Sequence, residues 1–397
     1  MKRYKLYVFI ICFVVFLSLP DIEANAENTE SMYASEAYVL MEASTGTVID
    51  SKNPDKELRP ASITKIMTLL LIFDAIDSGK LSYDDVVSVS NHAASMGGSQ
   101  VYFEPGETQT VHDMIKCISI ASANDASVAM AEHIAGSEEQ FVAMMNDRAK
   151  QLGMKHTHFV NCYGLDTDNH YSTAYDVALM SRELILKHSD IFRYSTVWMD
   201  SITHVTRKGS SEFGLTNTNK LLKSFNGVTG LKTGSTSLAK YCLSATARRN
   251  DMDMIAVVMA APDTKTRFRE AAELLNYGFS KSKLYQHSGE NVVLPELPLN
   301  NGVEYSVKLT MKEPFSYLFL NGEDTAFVEY NVVTDAVCEA PVQCGQSLGS
   351  LIYSYQGKEI GRVDLVAVKD YEKAGFYDTI KQIIKLFFIR EERRMGA

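Results

Sequence analysis

The chain has 397 residues, 46% of them apolar and 22% charged, with a formal net charge of −10. That length exceeds one ordinary core and calls for two domains, and the composition excludes a disordered chain. The acidic balance excludes a nucleic-acid partner, because there is no basic excess to neutralise phosphates.

The N-terminus sets an address. Lys2, Arg3 and Lys5 precede an almost unbroken apolar run from Leu6 to Leu19, and Ala24-Asn25-Ala26 then offers the small residues at which signal peptidase cuts. The run is short for a spanning helix, which needs about 20 residues. Residues 1–26 therefore read as a cleaved signal peptide, and the mature protein as exported. Removing three positive and two negative residues moves the formal charge from −10 to −11. Cys12 leaves with this segment, so Cys117, Cys162, Cys242, Cys338 and Cys344 remain. Cys338 and Cys344 are close enough in sequence for a small loop disulfide, or are small buried hydrophobes like the rest. No Cys/His cluster has metal-ligand spacing, so neither a metal nor another cofactor is expected.

Further along, AYVLMEA and TVID flank Ser-Thr-Gly and predict a β-hairpin between Glu36 and Asp50. Pro60-Ala61-Ser62 opens an apolar segment to Asp77 that predicts a buried helix, stopped by Ser78-Gly79. Helical periodicity spans 111–135 and 138–152, a turn-rich stretch covers Asn161 to Ser172, and a helix follows over Tyr175–Lys187. After Lys220 the segments GVTGLKTG, KYCLSATARR and MDMIAVVMAA predict three strands, closed by a helix from Thr266 to Phe279. Two strands early and three late point to one antiparallel sheet built from both ends of a domain. Residues from about 291 to 368 alternate in short segments between Pro, Gly and Asn-Gly turns, which predicts a small all-β domain joined near Pro295–Pro298. At the end, Phe376, Ile380, Ile383, Ile384, Phe387 and Phe388 form one helical stripe. Lys381, Gln382 and Lys385 face away, and Arg390, Arg393 and Arg394 follow. That pattern predicts an amphipathic helix lying on a membrane surface; the alternative is a helix docked on its own protein.

Three short motifs carry chemistry. Ser62-Ile-Thr-Lys65 puts a lysine amine one helical turn from a serine hydroxyl, where an apolar setting favours the neutral amine and lets it act as a base. Alone the motif is weak, since Ser237-Leu-Ala-Lys240 and Ser280-Lys-Ser-Lys283 match it too. Ser-x-Asn also recurs, starting at Ser51, Ser122 and Ser224, whereas Lys232-Thr233-Gly234 occurs once. Order and setting separate them. Ser62 begins a buried helix, Ser122-Ala-Asn124 interrupts an apolar helical stretch, and Lys232-Thr233-Gly234 ends one strand just before another begins, where a sheet edge can receive an extended peptide.

In this order the motifs form the signature of the penicillin-recognising serine enzymes. With RPASITKIMT, SANDAS, HYSTAYDVALMSR and FNGVTGLKTGST, the chain from Ala37 to Val368 resembles the low-molecular-mass penicillin-binding proteins that act as D,D-carboxypeptidases. The resemblance implies an α+β fold. It would comprise a β-lactamase/transpeptidase-like catalytic domain over 27–290, a β-domain over 291–370 and the terminal helix over 371–397. It implies that peptidoglycan stem peptides are the substrates, that β-lactam antibiotics inhibit, and that the protein works peripherally on the outer face of the cytoplasmic membrane. It also implies roles. Ser62 is the nucleophile, Lys65 its base, Ser122 and Lys232 handle the leaving group's proton, and Asn124 holds the lysine or substrate backbone. Lys232, Thr233, Gly234, Ser235 and Arg269 bind substrate, with Arg269 near its terminal carboxylate, and the N–H groups of Ser62 and Ser235 form the oxyanion hole. A class A β-lactamase shares these motifs but deacylates with a glutamate between the second and third. Here no glutamate occurs between Glu139 and Glu183, and the second motif is Ser-Ala-Asn rather than Ser-Asp-Asn. A non-catalytic wall-binding protein of the same fold is a further alternative, against which the intact Ser62, Lys65, Ser122 and Lys232 speak.

Overall fold

The computed structural model describes residues 33–207, 209–320 and 322–384. The chain divides at Ala34/Ser35, and all the described strands and helices lie in the unit that starts at Ser35. The expected signal peptide lies outside the described residues, as do Lys385, Phe387, Phe388, Arg390, Arg393 and Arg394.

Five strands form one antiparallel sheet: β1 (Ala37–Glu42), β2 (Val48–Lys52), β3 (Val228–Thr236), β4 (Lys240–Arg249) and β5 (Met252–Ala261), in the order β2-β1-β5-β4-β3. The two early strands and three late ones thus close a single sheet, as their spacing implies. Every residue of β5 is buried, because helices cover both faces of the sheet. A strand covered on both sides loses alternation and reads as one apolar run, here MDMIAVVMAA.

Helix α1 (Lys65–Asp77) is buried from Lys65 through Phe73. A helix apolar all round belongs inside the protein, and α1 sits amid α2 (Val111–Ser119), α3 (Asn124–Ala135), α4 (Glu138–Gln151) and α5 (Ala174–Lys187). The continuous helix expected over 111–135 is broken: α2 stops at Ser119, and Ser122 takes a left-handed backbone with φ +61°. The polar Ser-Ala-Asn is the cause, since Asn124 spends its backbone and side-chain amides on the Gly97–Ser99 loop. Helix α6 (Thr264–Lys281) then packs on the sheet through Phe268, Ala271, Leu274 and Leu275.

Strand Ser282–His287 follows α6 without a linker and pairs with Phe315–Leu320, so the second group of strands begins ahead of the expected join at Pro295–Pro298. A four-stranded sheet built around Ser347–Tyr355 and Lys358–Ala367 supplies the main layer of a separate small core. Cys338 and Cys344 are free thiols rather than a disulfide, Cys338 buried and Cys344 exposed. Residues 376–384 are helical, with Phe376, Ile380, Ile383 and Ile384 all exposed. Its polar side makes the contact, Gln382 Nε2 donating to the carbonyls of Gly302 and Val303 at 3.0 and 3.1 Å.

Candidate active site

Ser62 occupies a 3-10 turn, Ala61–Thr64, that leads into α1 instead of belonging to it. Two chain segments press on this turn. On one side Gly164 runs against Ala61, whose carbonyl oxygen would lie 1.9 Å from any Cβ there. On the other, a Cβ on Gly234 would lie 2.7 Å from the Ser62 amide nitrogen. Only glycine permits either approach, which explains the glycine of Lys232-Thr233-Gly234. Ala61 itself has φ +49°, and such left-handed non-glycine residues concentrate at functional sites.

Lys65 Nζ lies 3.0 Å from Ser62 Oγ, 2.6 Å from Asn124 Oδ1 and 2.7 Å from the Tyr163 carbonyl oxygen. Asn124 is oriented by its own amide, which donates to the Gly97 carbonyl at 2.7 Å. Two of the three lysine neighbours can only accept. A neutral amine has two N–H bonds and one lone pair, so satisfying both acceptors leaves the lone pair facing the serine hydroxyl. Burial makes the neutral form accessible, pushing the Lys65 pKa down to about 7 against weaker opposing fields from Cys162 and Asp125.

The loop supplying the Tyr163 carbonyl is tied to the start of α1. Thr68 Oγ1 donates to the Cys162 carbonyl at 2.5 Å, and Thr64 Oγ1 meets His170 Nε2 at 3.0 Å. His170 Nδ1 accepts the Val160 N–H at 2.9 Å, so its proton resides on Nε2. Burial, helped by His158 and Arg59, pushes the His170 pKa down to about 4, so the ring is neutral.

Ser122 Oγ is buried with no hydrogen-bond partner among the described residues. Its donor and acceptor capacity is therefore left for a guest or a water. Lys232 is buried in the edge strand β3, its amine 3.3 Å from the Thr233 carbonyl. Its pKa is driven well below the usual value by burial, then by Lys65 and Arg267 nearby. Three basic groups therefore share a poorly solvated site, which favours an anionic guest. Thr233 is buried beside them and hydrogen-bonds Thr218 at 2.6 Å, whereas Ser235 is exposed on β3.

Arg269 does not join this cluster. It lies half-exposed on α6 and pairs with Glu270 and Glu273. Arg267 instead is buried, with Nη1 donating to the carbonyls of Gly234 and Cys242 at 2.9 and 3.2 Å. Two residues along a helix turn to another face, so only one of the pair can look at the sheet. The stripe Arg267, Ala271, Leu274 and Gly278 carries the signal that separates them. The Tyr163 carbonyl and Thr218 were also missed, the first because backbone acceptors leave no trace in residue type. The competing motifs fall away: Lys240 and Lys283 are exposed and pair with Glu36 and Asp324.

The sequence matches known families over both parts. Residues 23–263 match the D-alanyl-D-alanine carboxypeptidase family, and residues 279–373 match the penicillin-binding protein 5 C-terminal domain. The chain is 43% identical over 354 residues to D-alanyl-D-alanine carboxypeptidase DacF of Bacillus subtilis (strain 168), spanning 89% of this chain and 90% of that one. Penicillin-binding protein 5 of Haemophilus influenzae superposes with a TM-score of 0.73 at 30% identity, covering 87% of this chain and 99% of its own. Penicillin-binding protein D2 of Listeria monocytogenes, solved in an ampicillin-bound form, gives a TM-score of 0.53 at 32% identity over 63% of this chain and 99% of its own. The chain belongs to the D-alanyl-D-alanine carboxypeptidase family.

Proposed function

We propose that the protein removes the terminal D-alanine from peptidoglycan stem pentapeptides through an acyl-enzyme on Ser62. Neutral Lys65 takes the hydroxyl proton as Ser62 Oγ bonds to the carbonyl carbon between the two D-alanines. The C–N bond then breaks, and the proton that Lys65 took passes through Ser122, the orphan hydroxyl, to the departing amine, with Lys232 beside it, which returns Lys65 to its neutral form. A water next attacks the ester, giving its proton to Lys65, which hands it back to Ser62 Oγ as the C–O bond breaks and the shortened peptide leaves. The amides of Ser62 and Ser235 serve the oxyanion, where one such donor is worth about 2.7–4 kcal/mol of barrier. Thr233 and Lys232 receive the substrate's carboxylate, with Arg267 replacing Arg269 as the arginine of this site. The observation that carries the reading is the Lys65 amine with two pure acceptors and the Ser62 hydroxyl around it.

Penicillins acylate Ser62 in the same way and leave slowly. The family match and the ampicillin-bound relative support this. Residues 1–26 direct export, and the terminal helix holds the enzyme on the outer face of the cytoplasmic membrane, towards the cell wall. The exposed Phe376, Ile380, Ile383 and Ile384, with Gln382 making the contact to the Gly302 and Val303 carbonyls, support that placement. Among the described residues no helix is long and apolar enough to cross a membrane. Incubating a pentapeptide precursor with the purified protein and assaying free D-alanine tests the activity. Release by the native protein and none by Ser62→Ala is expected; release by Ser62→Ala, or rapid hydrolysis of benzylpenicillin, overturns the reading.

A further inference from the structure

Thr218 stands where no motif points, yet it is held more firmly than a surface threonine needs. It lies between two buried asparagines, Asn217 and Asn219. Asn217 Nδ2 donates to the Val197 carbonyl at 2.8 Å, while its Oδ1 accepts the Asn219 N–H at 2.9 Å. Asn219 Nδ2 donates to the Gly230 carbonyl on β3 at 2.8 Å, and its Oδ1 accepts the Leu221 N–H at 3.1 Å. These bonds fix the Asn-Thr-Asn segment to the strand that carries Lys232 and Thr233. Thr218 itself is exposed, and its hydroxyl meets that of buried Thr233 at 2.6 Å. The pair runs from the rim of the site inwards.

We propose that Thr218 is a second hydroxyl ligand for the substrate's terminal carboxylate, acting with Thr233 to select a free C-terminus. The inference rests on Thr233 lying in the carboxylate site. With no guest, buried Thr233 donates to exposed Thr218, whose own proton then faces solvent, so neither hydroxyl is stranded. When a carboxylate arrives, both rotate and each donates to one of its oxygens, so the guest gains two hydroxyl donors beside the Lys232 amine. Hydrogen bonds to an ionised acceptor are stronger than those between neutral groups, so the exchange favours a carboxylate over an ester or amide.

The test compares acylation rates by benzylpenicillin and by its methyl ester, followed by intact mass, for the native protein and for Thr218→Val, Thr218→Ser and Thr233→Val. Thr218→Val should slow the acid by about ten- to a hundredfold, the scale of one hydrogen bond to a charged group. The ester's rate should stay unchanged, and Thr218→Ser should restore most of the acid's. Equal losses on acid and ester, or no loss on the acid, overturn the inference, with Thr218→Ser controlling for misfolding. If Thr233→Val loses the acid-over-ester preference while Thr218→Val keeps it, Thr218 alone is rejected. If Thr233→Val keeps the preference, the carboxylate reading of Thr233 fails and the inference falls with it.

Discussion

Lys65 shows how a single buried side chain is made useful in two charge states. Its three oxygen neighbours satisfy all three N–H bonds when it is charged, and two of them suffice when it is neutral. Burial supplies the bias towards neutrality, and the carbonyls of Asn124 and Tyr163 supply direction. Replacing Asn124 by alanine removes one acceptor, so the lone pair is no longer confined to the serine. Acylation by penicillin should fall by roughly ten- to a hundredfold, measured by adduct formation on the fraction that stays folded. Gly234→Ala tests the neighbouring contact. A Cβ 2.7 Å from the Ser62 amide forces the strand away from the nucleophile, so acylation should drop by about 10²-fold in a protein that still folds. An unchanged rate in either variant would separate that contact from the chemistry. At this scale the motif residues Ser62, Lys65, Asn124 and Lys232 were legible, because their types and order are rare in combination. Arg267 was not, because a likeness at Arg269 was preferred to the helical face on which the buried stripe runs.

Elements were legible where burial imposes a pattern and silent where it does not. The fully buried β5 and α1 stand out as apolar runs, and the five-stranded sheet follows from their spacing. The hairpin of Met199–Thr206 with Gly209–Thr216 gave no signal, since only Ile202, His204 and Leu215 are buried among its residues. The break between α2 and α3 was visible as polarity but not as geometry. Asp125, just after the break, shows what the break provides: its buried carboxylate accepts the Val101 N–H at 3.1 Å and the Phe103 N–H at 3.3 Å. It thereby fastens the loop that contacts Asn124. Asp125→Ala strands those donors and should cost about 2–4 kcal/mol in urea denaturation, with acylation falling as well. A loss below about 0.5 kcal/mol, the scale of an ordinary surface change, would assign the loop's order to other contacts.

On the scale of the whole molecule, the same chain carries the proposed site for an anionic peptide end and a helix over 376–384 on which Phe376, Ile380, Ile383 and Ile384 are exposed. If those side chains meet lipid, a chain ending at Gly375 should lose co-sedimentation with anionic vesicles and keep its acylation rate in solution. Retained binding would place the attachment elsewhere. The role of the β-domain was not legible, because its alternating strands record only that one face is covered. The reaction scheme as a whole turns on an uncharged Lys65. Since its pKa is depressed to about 7, protonation below that value removes the lone pair, and the amine is restored as the pH rises. The second-order rate of Ser62 acylation by benzylpenicillin, followed across pH, should therefore climb along an acid limb centred near 7 and level off above it. A rate that stays flat from mildly acidic to alkaline pH would contradict Lys65 as the base.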